Sequence, residues 1–74
     1  MTRDSVTDLH ALGLNERQIE ALALMVNEGK KLANREYRQL FGVTYVTAFR
    51  DLSQLVKVGQ AKAIGSGRGR KYGA

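Results

Sequence analysis

The chain has no cysteine, which excludes a disulfide framework and a thiolate metal site and leaves the redox compartment open. It has a single histidine, His10, and with no second ligand candidate beside it a surface or packing role is expected rather than a metal site. No stretch approaches the ~18 apolar residues of a membrane helix, and no apolar signal-peptide core follows Met1. The expectation is a soluble, cytoplasmic chain with no membrane partner. Apart from the glycine-rich segment near the end, no repeat or low-complexity tract is present. A catalytic constellation is also missing: no nucleophile–base pair is visible, and the acids are scattered without the spacing of a site. The run Gly65-Ser66-Gly67-Arg68-Gly69 lacks the G-K-[ST] ending of a nucleotide-binding loop and follows helices instead of opening one. The sequence reads as a non-enzyme with no cofactor and no metal.

What is present is one small domain. Seventy-four residues lie near the lower size at which a single core holds unaided. Hydrophobic residues at 43% and charged residues at 26% are ordinary globular values and argue against wholesale disorder. The net charge of +5 is unevenly placed. Residues 1–56 hold Arg3, Arg17, Lys30, Lys31, Arg35, Arg38 and Arg50 against Asp4, Asp8, Glu16, Glu20, Glu28, Glu36 and Asp51, and so are balanced. Residues 57–74 hold Lys57, Lys62, Arg68, Arg70 and Lys71 and no acid. A basic segment on a folded domain is the footprint of a polyanion partner, with a solubilising tail as the plainer alternative.

The first thirteen residues are weakly patterned, with Ser5 to Asp8 expected to cap at most a short turn carrying Leu9 and Leu12. A firmer helix start follows. Asn15 caps, Gln18 closes a capping box, and Leu14 is placed to staple onto Ile19. Leu22, Ala23 and Val26 continue the face of Ile19 until Gly29 ends the helix, and Glu16 and Lys30-Lys31 suit its dipole. This helix reads as core scaffolding. Residues 30–33 read as a short connector with room for a small extended bridge. Asn34 is the expected cap of a second, short helix, with Tyr37, Leu40 and Phe41 on one face and Gly42 as its left-handed terminator. Thr44 caps a third helix, 44–56, whose apolar stripe is Ala48, Leu52, Leu55 and Val56. After Gly59, residues 60–64 alternate as a strand, 65–69 form a glycine-rich turn, and Arg70 to Tyr72 return as a second strand with Tyr72 packing inward. The fold class is mainly α with a small β-hairpin.

Two helices joined by a glycine turn make a helix-turn-helix signature, although an ordinary helical hairpin gives the same pattern. With the hairpin added, the chain resembles the winged helix-turn-helix DNA-binding domain. It is most similar to the type at the C-terminus of bacterial transcriptional regulators, also found beside AlbA-like or Fic domains and in DeoR-like repressors. The resemblance rests on LNERQIEAL at 14–22, NREYRQLFGVT at 34–44, TAFRDLSQLVKVG at 47–59 and GSGRGRKY at 65–72. It covers 14–72, giving a three-helix winged domain over 14–74 behind the N-terminal segment 1–13. The chain departs from the family pattern early in the third helix, where Tyr45, Val46 and Phe49 replace the more usual polar or basic residues, and in its short last strand.

What the resemblance implies is binding of double-stranded DNA by a transcriptional regulator, with the third helix in the major groove. Thr44, Tyr45 and Thr47 would meet phosphates or base edges, Arg50 would read guanine, and Tyr45 and Phe49 would meet thymine methyls. Asn34 and Arg35 would hold a phosphate with exposed backbone N–H groups at the start of the second helix. Arg68, Arg70 and Lys71 in the wing would lie on the flanking backbone or in the minor groove. Capping alone is the simpler role for Thr44, and an ion pair with an acid is an equal alternative for Arg50. A competing reading is a protein-interaction module, in which Tyr45, Val46 and Phe49 form an apolar face that pairs two copies or docks a tethered domain of a longer protein.

Overall fold

The computed structural model describes residues 13–65 and 67–74, with Arg68 described in its backbone alone. The short turn expected at Ser5 to Asp8, its Leu9 and Leu12, and the role of His10 lie outside the described residues, as does the side chain of Arg68. The elements are α1 (Glu16–Asn27), α2 (Asn34–Phe41), α3 (Tyr45–Lys57), β1 (Lys62–Ile64), a single 3₁₀ turn (Gly67–Gly69) and β2 (Lys71–Gly73). Three helices and a two-stranded antiparallel hairpin make the fold mainly α, as expected.

Helix α1 begins with the capping box read from the sequence. The Gln18 N–H donates to Asn15 Oδ1 at 2.9 Å, and the Asn15 N–H donates to Gln18 Oε1 at 2.7 Å. Both groups would otherwise be orphan donors at the helix start. The buried face differs from the expected one. It is Gln18, Ala21, Leu22 and Met25, whereas Ala23 is exposed and Val26 is 64% exposed. The stripe is rotated toward Gln18 because that side chain finds buried partners, so a glutamine takes a core position that apolar periodicity alone assigns elsewhere.

Helix α2 starts one residue earlier than read. Ala33 is the cap residue and makes no side-chain cap bond, and Asn34 is already helical. The Ala33 N–H is instead taken by Glu36 Oε1 at 2.8 Å, so the reach-back half of a capping box suffices. Tyr37 is fully buried, Phe41 is half-buried with its ring 4.7 Å from that of Tyr37, and Leu40 is 53% exposed. The helix ends on Gly42, whose φ of +63° lies in the left-handed region that side-chain-bearing residues avoid. Thr44 then caps α3, accepting the Thr47 N–H at 3.3 Å.

Helix α3 is the central one, packing on α1, α2 and β1. Ala48, Leu52 and Leu55 are fully buried and Val56 is half-buried. They meet Leu14, Leu22 and Met25 from the α1 side and Tyr37 from α2 in one core. Full burial of each leucine contributes about 2 kcal/mol. Asp51, on the same face, is only 6% exposed. The hairpin closes the core from below. Tyr72 pairs with Ala63 in β1 on one side and with Leu32 on the other. Its N–H and C=O each bond Leu32 at 2.8 Å, so the connector expected to hold a small extended bridge does so.

Candidate functional site

A groove of about 410 Å³ lies where the start of α2, the outer face of α3 and the hairpin turn converge. Arg35, Arg38 and Arg70 line it together with Tyr45, Phe49 and Tyr72, and among the described residues no carboxylate does. A concavity with three guanidinium groups, aromatic faces and no acid favours an anion joined to flat or apolar groups. Glu36, the acid in the first turn of α2, lines a different groove with Leu24, Glu28, Leu32 and Leu40.

The residues singled out in the sequence are distributed unevenly around this groove. Asn34, Arg35, Tyr45, Phe49 and Arg70 line it. Thr44 and Thr47 stand outside it and bond each other, their hydroxyls 3.2 Å apart, at the start of α3. Arg50 is exposed on α3 and makes no ion pair with a described residue. Lys71 is exposed on β2 opposite Ile64. Tyr45, Val46 and Phe49 are 60%, 56% and 46% exposed, and thus form an apolar surface on the side of α3 away from the core.

Arg38 and Tyr72 also line the groove and were not singled out. Arg38 lies one turn after Asn34 on α2, and Arg38 Nε donates to Asn34 Oδ1 at 2.8 Å. Asn34 Nδ2 in turn donates to the carbonyl of Tyr45 at 3.2 Å. The guanidinium of Arg38 stands over the Tyr45 ring, 5.7 Å from its centre, within cation–π range. Asn34 therefore links the two helices through its side chain instead of capping one of them. The i, i+4 spacing of Asn34 and Arg38 was legible, but only the fold brings the Tyr45 carbonyl and ring to them.

A polar network ties the three helices together. Asp51 accepts from the Tyr37 hydroxyl at 2.8 Å, from Arg17 Nε at 2.9 Å and from Asn15 Nδ2 at 3.3 Å. Gln18 Nε2 donates to the Asp51 carbonyl and to Gln54 Oε1, each at 3.0 Å. Among the described residues no buried side-chain nitrogen or oxygen lacks a partner. Burial, reinforced by its hydrogen bond to Asp51, raises the Tyr37 phenol well above the usual tyrosine range. The network holds α2 and α3 in register and so sets the groove that they share.

Among the described residues no group of three or more His, Cys, Asp or Glu side chains could hold a metal ion, and no helix is long and apolar enough to cross a membrane. Comparison of the chain with known protein families, with curated proteins and with solved structures found no match.

Proposed function

We propose that this chain is a winged helix-turn-helix module that binds duplex DNA for a transcriptional regulator in the cytoplasm. The observation that carries the reading is the groove of Arg35, Arg38 and Arg70, with no acid among its described residues, beside the exposed outer face of α3. A duplex presents such a surface with a groove that admits one helix, flanked by two rows of phosphate. In this reading the outer face of α3 enters the major groove, with Arg50 reaching base edges and Tyr45 and Phe49 toward thymine methyls. Arg35 and the hairpin cations Arg68, Arg70 and Lys71 lie on the flanking backbone. Five phosphate contacts, from Arg35, Arg38, Arg68, Arg70 and Lys71, give a slope of log K against log salt of roughly −4 to −5. Fluorescence anisotropy with a labelled random-sequence duplex from low to moderate salt measures it. A slope near zero at measurable affinity would falsify the groove-and-wing mechanism.

A second reading is favoured by the exposure of Tyr45, Val46 and Phe49. Three adjoining apolar side chains on one helix face suit a protein interface, through which a second copy or a tethered domain would dock. The two readings coexist where a dimer sets half-site spacing on the duplex.

A further inference from the structure

We propose that Arg38 is the preset phosphate clamp of this site, and that Asn34 and Tyr45 position it. The inference rests on the DNA-binding reading and deepens it by naming the group that the groove receives: one phosphodiester of the duplex backbone. The groove's cations are held differently. Arg35 and Arg70 are exposed, and neither donates a side-chain hydrogen bond to a described residue. Arg38 is half-buried, fixed at Nε by Asn34 Oδ1 and supported by the Tyr45 ring. Its two terminal amino groups donate to no described residue, so they remain for a ligand in the groove that Arg38 lines.

A guanidinium held at Nε presents its remaining fork as a unit, and two parallel N–H donors match two phosphate oxygens. Because the side chain is already ordered, less rotamer freedom is lost on binding than for a free arginine. The Asn34 side chain bridges the start of α2 to the first residue of α3, so the clamp sits at a fixed place relative to the start of α3. A phosphate seated there sets the depth and register of α3 in the major groove, which is the positioning role of backbone contacts. The assignment changes two roles taken from the sequence. Asn34 acts through its side chain on Arg38, and Tyr45 is the platform under the clamp as well as part of the outer face of α3.

The test uses the full chain, labelled with ¹⁵N, and two probes: inorganic phosphate and a random-sequence duplex. In the unbound protein the Arg38 Nε–H signal is resolved because Asn34 accepts it, and it moves saturably with both probes. Arg38→Gln weakens duplex binding about tenfold and reduces the magnitude of the salt slope by about 1. Arg38→Lys keeps the slope but loses the fork and the Asn34 bond, weakening binding about threefold. Asn34→Ala also keeps the slope, weakens binding about threefold and erases the resolved Arg38 signal, which a general loss of stability would not do selectively. Lys57→Gln, on the last turn of α3, is the reference for removing one charge away from the groove. If Arg38→Gln binds the duplex as Lys57→Gln does, the clamp is overturned while DNA binding stands. If the wild type ignores the duplex but phosphate still moves Arg38, the duplex as occupant is overturned and the DNA reading falls with it.

Discussion

Removing the Asp51 carboxylate leaves the buried Tyr37 hydroxyl without its acceptor and Arg17 without its ion-pair partner. The orphaned hydroxyl costs about 1–3 kcal/mol. The Arg17 pair adds less, since Arg17 is 38% exposed in its side chain and such pairs are worth under ~1 kcal/mol. Against a total stability on the order of 5 kcal/mol for a chain of this size, Asp51→Ala is expected to lower the urea midpoint sharply, and Asp51→Asn, which keeps an acceptor, to lower it less. Equal effects of the two would contradict the network. Tyr37 adds a pH dependence of definite sign. Its phenol is raised by burial, with the hydrogen bond to Asp51 and the Asp51 charge adding to it, so the folded state holds that proton more tightly than the unfolded chain. The contribution is complete below the unfolded value of ~10 and is lost as pH rises from there toward the folded pKa. Alkaline titration of stability should show this loss in the wild type and not in Tyr37→Phe.

At the scale of elements, the turn between α2 and α3 decides whether the groove exists. A Cβ at Gly42 would meet nothing within 4 Å, so Gly42→Ala has room, and its cost of about 1 kcal/mol is conformational alone, from the φ of +63°. Thr44→Ala removes the cap of α3 and costs a similar ~1 kcal/mol. Equilibrium unfolding of both variants checks this, and a neutral Gly42→Ala would show that the turn relaxes to another conformation. The helices, this turn and the hairpin were legible because capping residues, glycines and apolar spacing mark them locally. The rotation of α1 was not legible, because Gln18 is buried through bonds to Asp51 and Gln54, 33 and 36 residues away. For the same reason nothing local in the sequence marks Asp51 as a core residue. The start of α2 shifted by a residue because Glu36 does the work expected of an Asn34 cap. Of the site, the arginines and aromatics were visible as residue types. Which of them share a groove depends on the packing of α2, α3 and the hairpin, and Arg38 entered only through that packing.

At the scale of the molecule, the balanced charge of residues 1–56 and the acid-free last eighteen residues meet in one place. The hairpin brings Arg70 to the arginines at the start of α2, and Tyr72 anchors it by pairing with Leu32 and Ala63. The basic tail is thereby part of the surface of the domain, and its field adds to that of Arg35 and Arg38 instead of acting as a separate solubilising segment. The outer face of α3, with Tyr45, Val46 and Phe49 exposed, lies beside that field.

The most direct measurement is an NMR titration of the labelled chain with a random-sequence duplex at low and moderate salt. With DNA docked on the groove and wing, shifts concentrate at residues 34, 35 and 38, along 44–50, and at 68–71, all reversed by salt. Shifts confined to the lysine and arginine side chains of residues 57–74, or silence at α3 and the start of α2, would contradict that docking. The Tyr45, Val46 and Phe49 face would then stand as a protein-binding surface.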